Sequence, residues 1–446
     1  MATESLQAPL DTLYREMFER GVKYCLPAGR LTRSGSASPS VARLVSSSRD
    51  DGGADLTWLG SAYRLEHPDR ALTDNETRLL RTIGRVLSAR YHALLESAGA
   101  AERLDLFRGL IEDRFVSAYL DPMPYTRGEG LAIDRVADAI DVLRISSSST
   151  YENRRINTGV LLFGHMPDPS HTPPPAPDGA LPYSQPLTMT RTFYRLCDGM
   201  RTVALVDSAG RMVELVDIVE WAAPFAEVSL PVPCAARFVA HCRATLSGGH
   251  VCLVLTPNGE MKAFADGAQV FTFRDGRWRL SDVSEKYRQW EEALGQAPLA
   301  QRLFTTALNL AERRRGGLFV VLNDVSAGEH LLPLGDRLDA IHPIGDARSK
   351  ERFHYLLRGK SALDLAPSVL ESVARIDGAI VLDRRSALLA FGAILRHHVE
   401  PELDRYVAEG GRTTAAIVAS RYGQVLKVSE DGLVSFFANG RAVWEL

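Results

Sequence analysis

Two stretches of this chain carry the same series of short apolar strands and turns in the same order, and that repetition limits the possible fold more than any other feature. NRRINTGVLLFG (153–164) parallels ERRRGGLFVVL (312–322), each setting paired arginines and a glycine before an apolar strand. CDGMRTVALVDSAGRMVEL (197–215) parallels IDGAIVLDRRSALLAFG (376–392), each giving Asp-Gly, a strand, a tight turn and another strand. GHVCLVLTPNGEMKAFADG (249–267) parallels GQVLKVSEDGLVSFFANG (423–440), a hairpin closing on Asp-Gly or Asn-Gly. Chance likeness among glycine-turned hairpins is the competing reading, because the spacing from first strand to Asp-Gly differs between the copies. Three matches in one order favour two tandem α/β modules, the first having lost or reshaped the connecting helix that the second shows at SALDLAPSVLESVAR.

The region before the repeats is periodic at the helical spacing. LDTLYREMFERGVKYCL, NETRLLRTIGRVLSARYHALLE, AERLDLFRGLIEDRFVSAYL and AIDRVADAIDVLRI each read as helix, with Leu79, Leu80, Ile83 and Leu87 on one stripe behind an Asn75 cap. Residues 33–55 are rich in Ser, Gly and Asp and read as an exposed loop, and the proline-dense 165–186 reads as a surface excursion between strands. The expected architecture is α/β, a mixed central sheet flanked by helices in two tandem copies, behind a helical N-terminal region. The expected domains are 1–145 (helical), 146–283 (first copy) and 284–446 (second copy).

At 446 residues the chain exceeds what one hydrophobic core usually serves, which fits this division. A net charge of −3 provides no field to gather nucleic acid or anionic lipid, so any phosphate site must be local. The apolar runs are strand-sized and the first residues lack a basic stretch followed by an apolar one, which leads us to expect a cytoplasmic protein without membrane segments. Five cysteines without a CxxC pair suit reduced structural thiols better than disulfides or a zinc site.

Asp-Gly occurs seven times in the chain, and taken alone Asp377-Gly378 is a turn. In its setting it is part of a longer pattern: RRRGGLFVVL, the helix DLAPSVLESVA, Asp377-Gly378-Ala379 before an apolar strand, GGRTTAA (410–416), then Val428-Ser429-Glu430. This order resembles the diadenylate cyclase domain, which condenses two ATP molecules into cyclic di-AMP. The resemblance implies that Asp377 holds Mg²⁺ or Mn²⁺, with Gly378 and Ala379 completing the catalytic turn. It implies nucleotide or phosphate contacts from Leu395, Gly410, Gly411, Arg412, Thr413, Thr414 and Ser429.

The chemistry supports these residue types. A divalent ion neutralises charge developing on the phosphate under attack, and a glycine turn opening a helix presents backbone N–H groups to an anion. The chain departs from the family where the phosphate loop carries Arg-His-Arg, having Arg412-Thr413-Thr414 instead. Threonine hydroxyls lack the charge-assisted contacts of guanidinium groups, so triphosphate binding is expected to be weaker. Arg396-His397-His398 superficially matches the missing triplet but precedes the loop by some fifteen residues and reads as a helix start.

The first copy keeps Asp198-Gly199 without a glycine-rich phosphate loop and reads as catalytically silent. Its segment 146–159 offers Ser146 to Ser149, Arg154 and Arg155 to an anion, against a simpler reading as a polar loop. The expected function is thus a nucleotidyltransferase with ATP as substrate, acting as a homodimer or higher oligomer through the C-terminal domain. A degenerate nucleotide sensor in a signalling or anti-phage system is the alternative.

Overall fold

A computed structural model describes the whole chain except residues 1, 39–40, 69, 96–100, 127–132, 152, 169, 173, 340–349 and 397–409. The chain forms two compact units, Met1–Leu230 with Ala240–Asp282, and Pro231–Val239 with Val283–Leu446.

The first unit opens with α1 (Ala2–Cys25), followed by β1 (Arg30–Ser36), β2 (Val45–Ser48), β3 (Ala54–Trp58) and β4 (Ser61–Glu66), an antiparallel sheet in the order β1-β4-β3-β2. The segment expected to be a loop over 33–55 therefore contributes strands. The reason is that only one face of this sheet is buried. β3 and β4 hide Leu56, Trp58, Tyr63 and Leu65 on the core side and leave Asp55 and Arg64 to solvent, so a polar composition is compatible with pairing. Phe18 of α1 stacks on Trp58 with ring centroids 5.8 Å apart, and the Trp58 indole donates to the Tyr14 carbonyl at 3.2 Å.

Helices α2 (Asp74–Leu95), α3 (Ile111–Leu120) and α4 (Arg135–Ser147) follow, and the stripe of Leu79, Leu80, Ile83 and Leu87 is fully buried. A small hairpin of β5 (Thr150–Tyr151) and β6 (Arg154–Arg155) leads to the first repeat. The four serines ahead of it are spent on the end of α4: Ser146, Ser147, Ser148 and Ser149 each donate a hydroxyl to a helix carbonyl.

The first repeat comprises β7 (Thr158–Leu162), α5 (Phe193–Leu196), β8 (Thr202–Val206), β9 (Met212–Asp217), α6 (Ile218–Trp221), α7 (Val239–Arg243), β10 (Val251–Leu255), β11 (Met261–Ala265), β12 (Ala268–Arg274) and β13 (Arg277–Leu280). Its sheet runs β13-β12-β11-β10-β7-β8-β9. The second unit adds α8 (Val283–Leu294), α9 (Ala297–Glu312), β14 (Gly317–Leu322), α10 (Gly328–Leu331), α11 (His354–Leu357), α12 (Pro367–Ala374), β15 (Ala379–Asp383), β16 (Leu388–Ala393), α13 (Gly411–Ala419), β17 (Gly423–Val428), β18 (Val434–Ala438) and β19 (Arg441–Glu445). Its sheet runs β16-β15-β14-β17-β18-β19.

The two sheets share one topology over six strands, and the first adds β13 at its edge. In each, a central strand pairs parallel with the next strand (β7 with β8, β14 with β15), that strand turns back into an antiparallel edge, and a hairpin pairs antiparallel on the other side. The three sequence matches are these three parts. The connecting helix that the second copy shows as α12 is reduced in the first to the single turn of α5. The continuous apolar runs are explained by burial on both faces. Leu318, Val320 and Leu322 pack with Ala416 and Ile417 of α13, while the alternate residues Phe319 and Val321 are fully buried too.

Among the described residues no helix is long and apolar enough to cross a membrane.

Gly378 has φ near +109°, and a Cβ there would lie 2.4 Å from the Gly392 carbonyl carbon of β16. Gly378→Ala is therefore expected to destabilise the C-terminal unit by about 2 kcal/mol or more in chemical denaturation. Gly411→Ala, where a Cβ meets nothing within 4 Å, is expected to leave stability unchanged or raise it by up to about 1 kcal/mol.

Candidate functional site

The parallel pairing of β14 with β15 sets the segments that precede these strands side by side, and β17 returns antiparallel so that its end, Val428, faces Gly317. Three stretches, 314–316, 375–378 and 429–430, thus meet at one end of the sheet, and the start of α13 joins them. Between them lies a cavity of about 430 Å³ lined by Arg314, Arg315, Gly316, Ser372, Arg375, Ile376, Arg412 and Glu430. That volume is in the range of small-molecule sites.

Arg412 organises the mouth. Its guanidinium rests over Gly316, where a Cβ would come within 2.3 Å of Nη1, so the glycine is what leaves it room. Nη1 donates to Glu430 Oε1 at 2.9 Å, and Nη2 lies 3.8 Å from Asp377 Oδ1. The Asp377 side chain is 88% exposed, and among the described residues Arg412 is the group its carboxylate meets. Four arginines against one glutamate among the lining residues make the cavity cationic in a protein of net charge −3. The neighbouring Arg313 is turned away, bonded to Glu371 at 2.7 Å.

The expected phosphate loop divides in two. Gly410, with φ near +100°, caps α13, and its carbonyl accepts from the Thr413 and Thr414 amides at 3.1 and 3.2 Å. Gly411 follows as the first helical residue. Thr413 and Thr414 are buried: Lys427 Nζ donates to the Thr413 hydroxyl at 3.1 Å and the Thr414 hydroxyl donates back to Gly410 O at 3.4 Å. Thr413 ties the helix to the sheet, Thr414 bonds back to the helix cap, and neither lines the cavity.

Ser429 closes the β17–β18 turn, its hydroxyl bonded to Asp431 and accepting from the Leu433 amide at 3.1 Å. Leu395 is buried in the cluster of Leu331, Ala393 and Ile417. Ala379 is fully buried as the first residue of β15. Arg396 donates its amide to Leu331 O, whereas His397 and His398 lie outside the described residues.

Sequence reasoning missed Arg314, Arg315, Arg375 and Glu430 as site residues. The signal for the first two was the RRRGG run, read as a marker of the repeat and of the motif order, with none of its arginines assigned to the site.

For a divalent metal, the available donors are the exposed Asp377 carboxylate with Glu430 close by, both hard oxygen ligands held around Arg412. That set fits Mg²⁺ or Mn²⁺, which bind through one or two carboxylates together with substrate phosphates.

The first repeat supplies a contrast. Asp198 Oδ1 accepts from the amides of Met200, Arg201 and Thr202 at 2.8, 2.7 and 3.0 Å, so its carboxylate is consumed by its own turn. The same Asp-Gly position is punctuation in one copy and a projecting carboxylate in the other.

No protein-family model matches this chain, and no curated protein does. Solved structures similar to part of it include a hypothetical membrane-spanning protein from Bacillus cereus, 24% identical over 35% of this chain and 69% of that one, with a TM-score of 0.24. Another is a cysteine-substituted double mutant of DacA from Staphylococcus aureus, 17% identical over 35% of this chain and 87% of that one, with a TM-score of 0.23.

The Arg412–Glu430 pair is solvent-accessible, with side chains 40% and 72% exposed. Glu430→Ala is expected to change unfolding free energy by less than about 1 kcal/mol, as exposed ion pairs do. The buried Arg114–Asp134 pair gives the comparison: Asp134→Ala should cost about 3–5 kcal/mol in the same denaturation experiment.

Proposed function

We propose that the C-terminal unit binds a nucleoside triphosphate with its phosphates in the arginine-lined cavity and condenses two such nucleotides into a cyclic dinucleotide. The observation that carries this reading is the convergence of Arg314, Arg315, Arg375 and Arg412 on one cavity with the Asp377 carboxylate at its mouth. The motif order that resembles the diadenylate cyclase domain points to ATP and cyclic di-AMP.

In this reading the guanidinium groups bind and orient the triphosphate through charge-assisted hydrogen bonds. They also take up the charge that accumulates on the leaving pyrophosphate. Asp377 would hold Mg²⁺ or Mn²⁺, which would supply positive charge to neutralise the α-phosphate under attack. Each nucleotide's 3′-oxygen forms a bond to the α-phosphorus of the other as the bond to pyrophosphate breaks, and the hydroxyl proton passes to solvent. That geometry needs two loaded sites face to face, so two chains meet through their C-terminal units. The first repeat, with Asp198 bound to its own turn, does not serve as the second half-site.

A nucleotide sensor without catalysis is the second reading, favoured by the inward turn of Thr413 and Thr414 where the family carries cations. Incubation of the purified protein with ATP and Mn²⁺ separates the two. The enzyme reading predicts a cyclic dinucleotide and pyrophosphate, lost in Asp377→Ala. It also predicts ATP affinity about 10–100-fold weaker in Arg412→Ala, matching loss of charge-assisted contacts. Saturable ATP binding without product identifies the sensor, and no binding removes both.

A further inference from the structure

The first unit holds a second group of reactive side chains, unconnected with the cavity above. Asp168 and His171 lie on the proline-dense segment between β7 and β8, and His250 immediately precedes β10. Asp168 Oδ2 is 2.8 Å from His250 Nε2 and 3.0 Å from His171 Nδ1, and all three donor atoms fall within 4.8 Å of one another. The side chains are 0%, 1% and 10% exposed for Asp168, His250 and His171.

Each member is held from behind. The Ser170 amide donates to Asp168 Oδ1 at 2.8 Å, while His171 Nε2 donates to the Trp221 carbonyl at 2.9 Å and its ring stacks on Trp221 with centroids 4.0 Å apart. A ring N–H fixed on a backbone carbonyl leaves the opposite nitrogen aimed at the cluster, as in metal sites. Glycines make the space: a Cβ on Gly248 would lie 2.6 Å from His250 Cε1 and 3.1 Å from Asp168 Cβ. This group stands at the end of β7 opposite Asp198-Gly199, whose glycine lies against Thr158 at the start of that strand.

We propose that Asp168, His171 and His250 form a binding site for a divalent transition metal of the zinc class, which staples the proline-dense segment to the sheet. Two imidazoles and a carboxylate suit Zn²⁺ and related ions better than Mg²⁺ or Ca²⁺, and three protein ligands leave a position for water. Without the ion, protons bridge the same atoms. The Gly164 amide donates to His250 Nδ1 at 2.8 Å, which puts the ring proton on Nε2, facing Asp168. Metal binding at Nε2 shifts that one ring proton to Nδ1, which turns this nitrogen from acceptor to donor and releases the Gly164 amide, at the cost of its hydrogen bond.

The test uses the full chain stripped with chelator and titrated with Zn²⁺, or with Co²⁺ as a spectroscopic substitute. One equivalent is expected to bind, with X-ray absorption reporting two imidazole ligands and faster hydrogen exchange at Gly164. His171→Ala and His250→Ala should each weaken binding about 100-fold or more, and Asp377→Ala should leave it intact, whatever the fate of the nucleotide reading. No stoichiometric binding by the unaltered chain, fewer than two imidazoles on the ion, or binding that survives both histidine substitutions overturns the proposal. Should a variant fail to fold, the ligand count on the unaltered protein decides.

Discussion

The parallel pairing of β14 with β15 is the constraint on which the C-terminal unit depends. Parallel strands start at the same end, so whatever precedes them is forced into proximity, here Arg314–Gly316 beside Arg375–Gly378. The antiparallel return of β17 brings Glu430 to that end, and α13 starts there with Arg412. Residues 116 positions apart along the chain meet because hydrogen-bond register leaves them no other place. Gly378 and Gly392 allow the backbones of β15 and β16 to close at this point, and Gly316 gives the Arg412 side chain its seat.

The first repeat has the same strand order and lacks the site, which separates what the fold requires from what the cavity requires. Its Asp-Gly serves the turn alone, with three amides on one carboxylate oxygen and Gly199 pressed against Thr158. Its connecting helix has shrunk to one turn, and the connection between β7 and β8 runs instead through the proline-dense segment with Asp168 and His171. One topology thus presents two different groups of chemistry at opposite ends of its two sheets.

Much of this was legible in the sequence because burial imposes periodicity. The α2 stripe and the unbroken apolar runs of β7 and β14 follow directly from the packing of one or two faces. The repeat was visible through its turns, since Asp-Gly and Asn-Gly fall where the backbone must reverse. The sheet over residues 30–66 was hidden because its solvent face is serine and charge, and composition outweighed alternation. Side-chain direction was not legible: nothing in Arg412-Thr413-Thr414 says that the arginine reaches over Gly316 while both threonines turn inward. The cationic lining was missed because three of its arginines lie on two segments far apart in sequence, joined only by strand register.

The central claim is that Asp377 and the four arginines surround one polyphosphate. The most direct measurement is a crystal structure of the protein with a non-hydrolysable ATP analogue and Mn²⁺. The account predicts the triphosphate among Arg314, Arg315, Arg375 and Arg412, with the ion on the Asp377 carboxylate. A nucleotide seated elsewhere, or an ion that leaves Asp377 untouched, would contradict it.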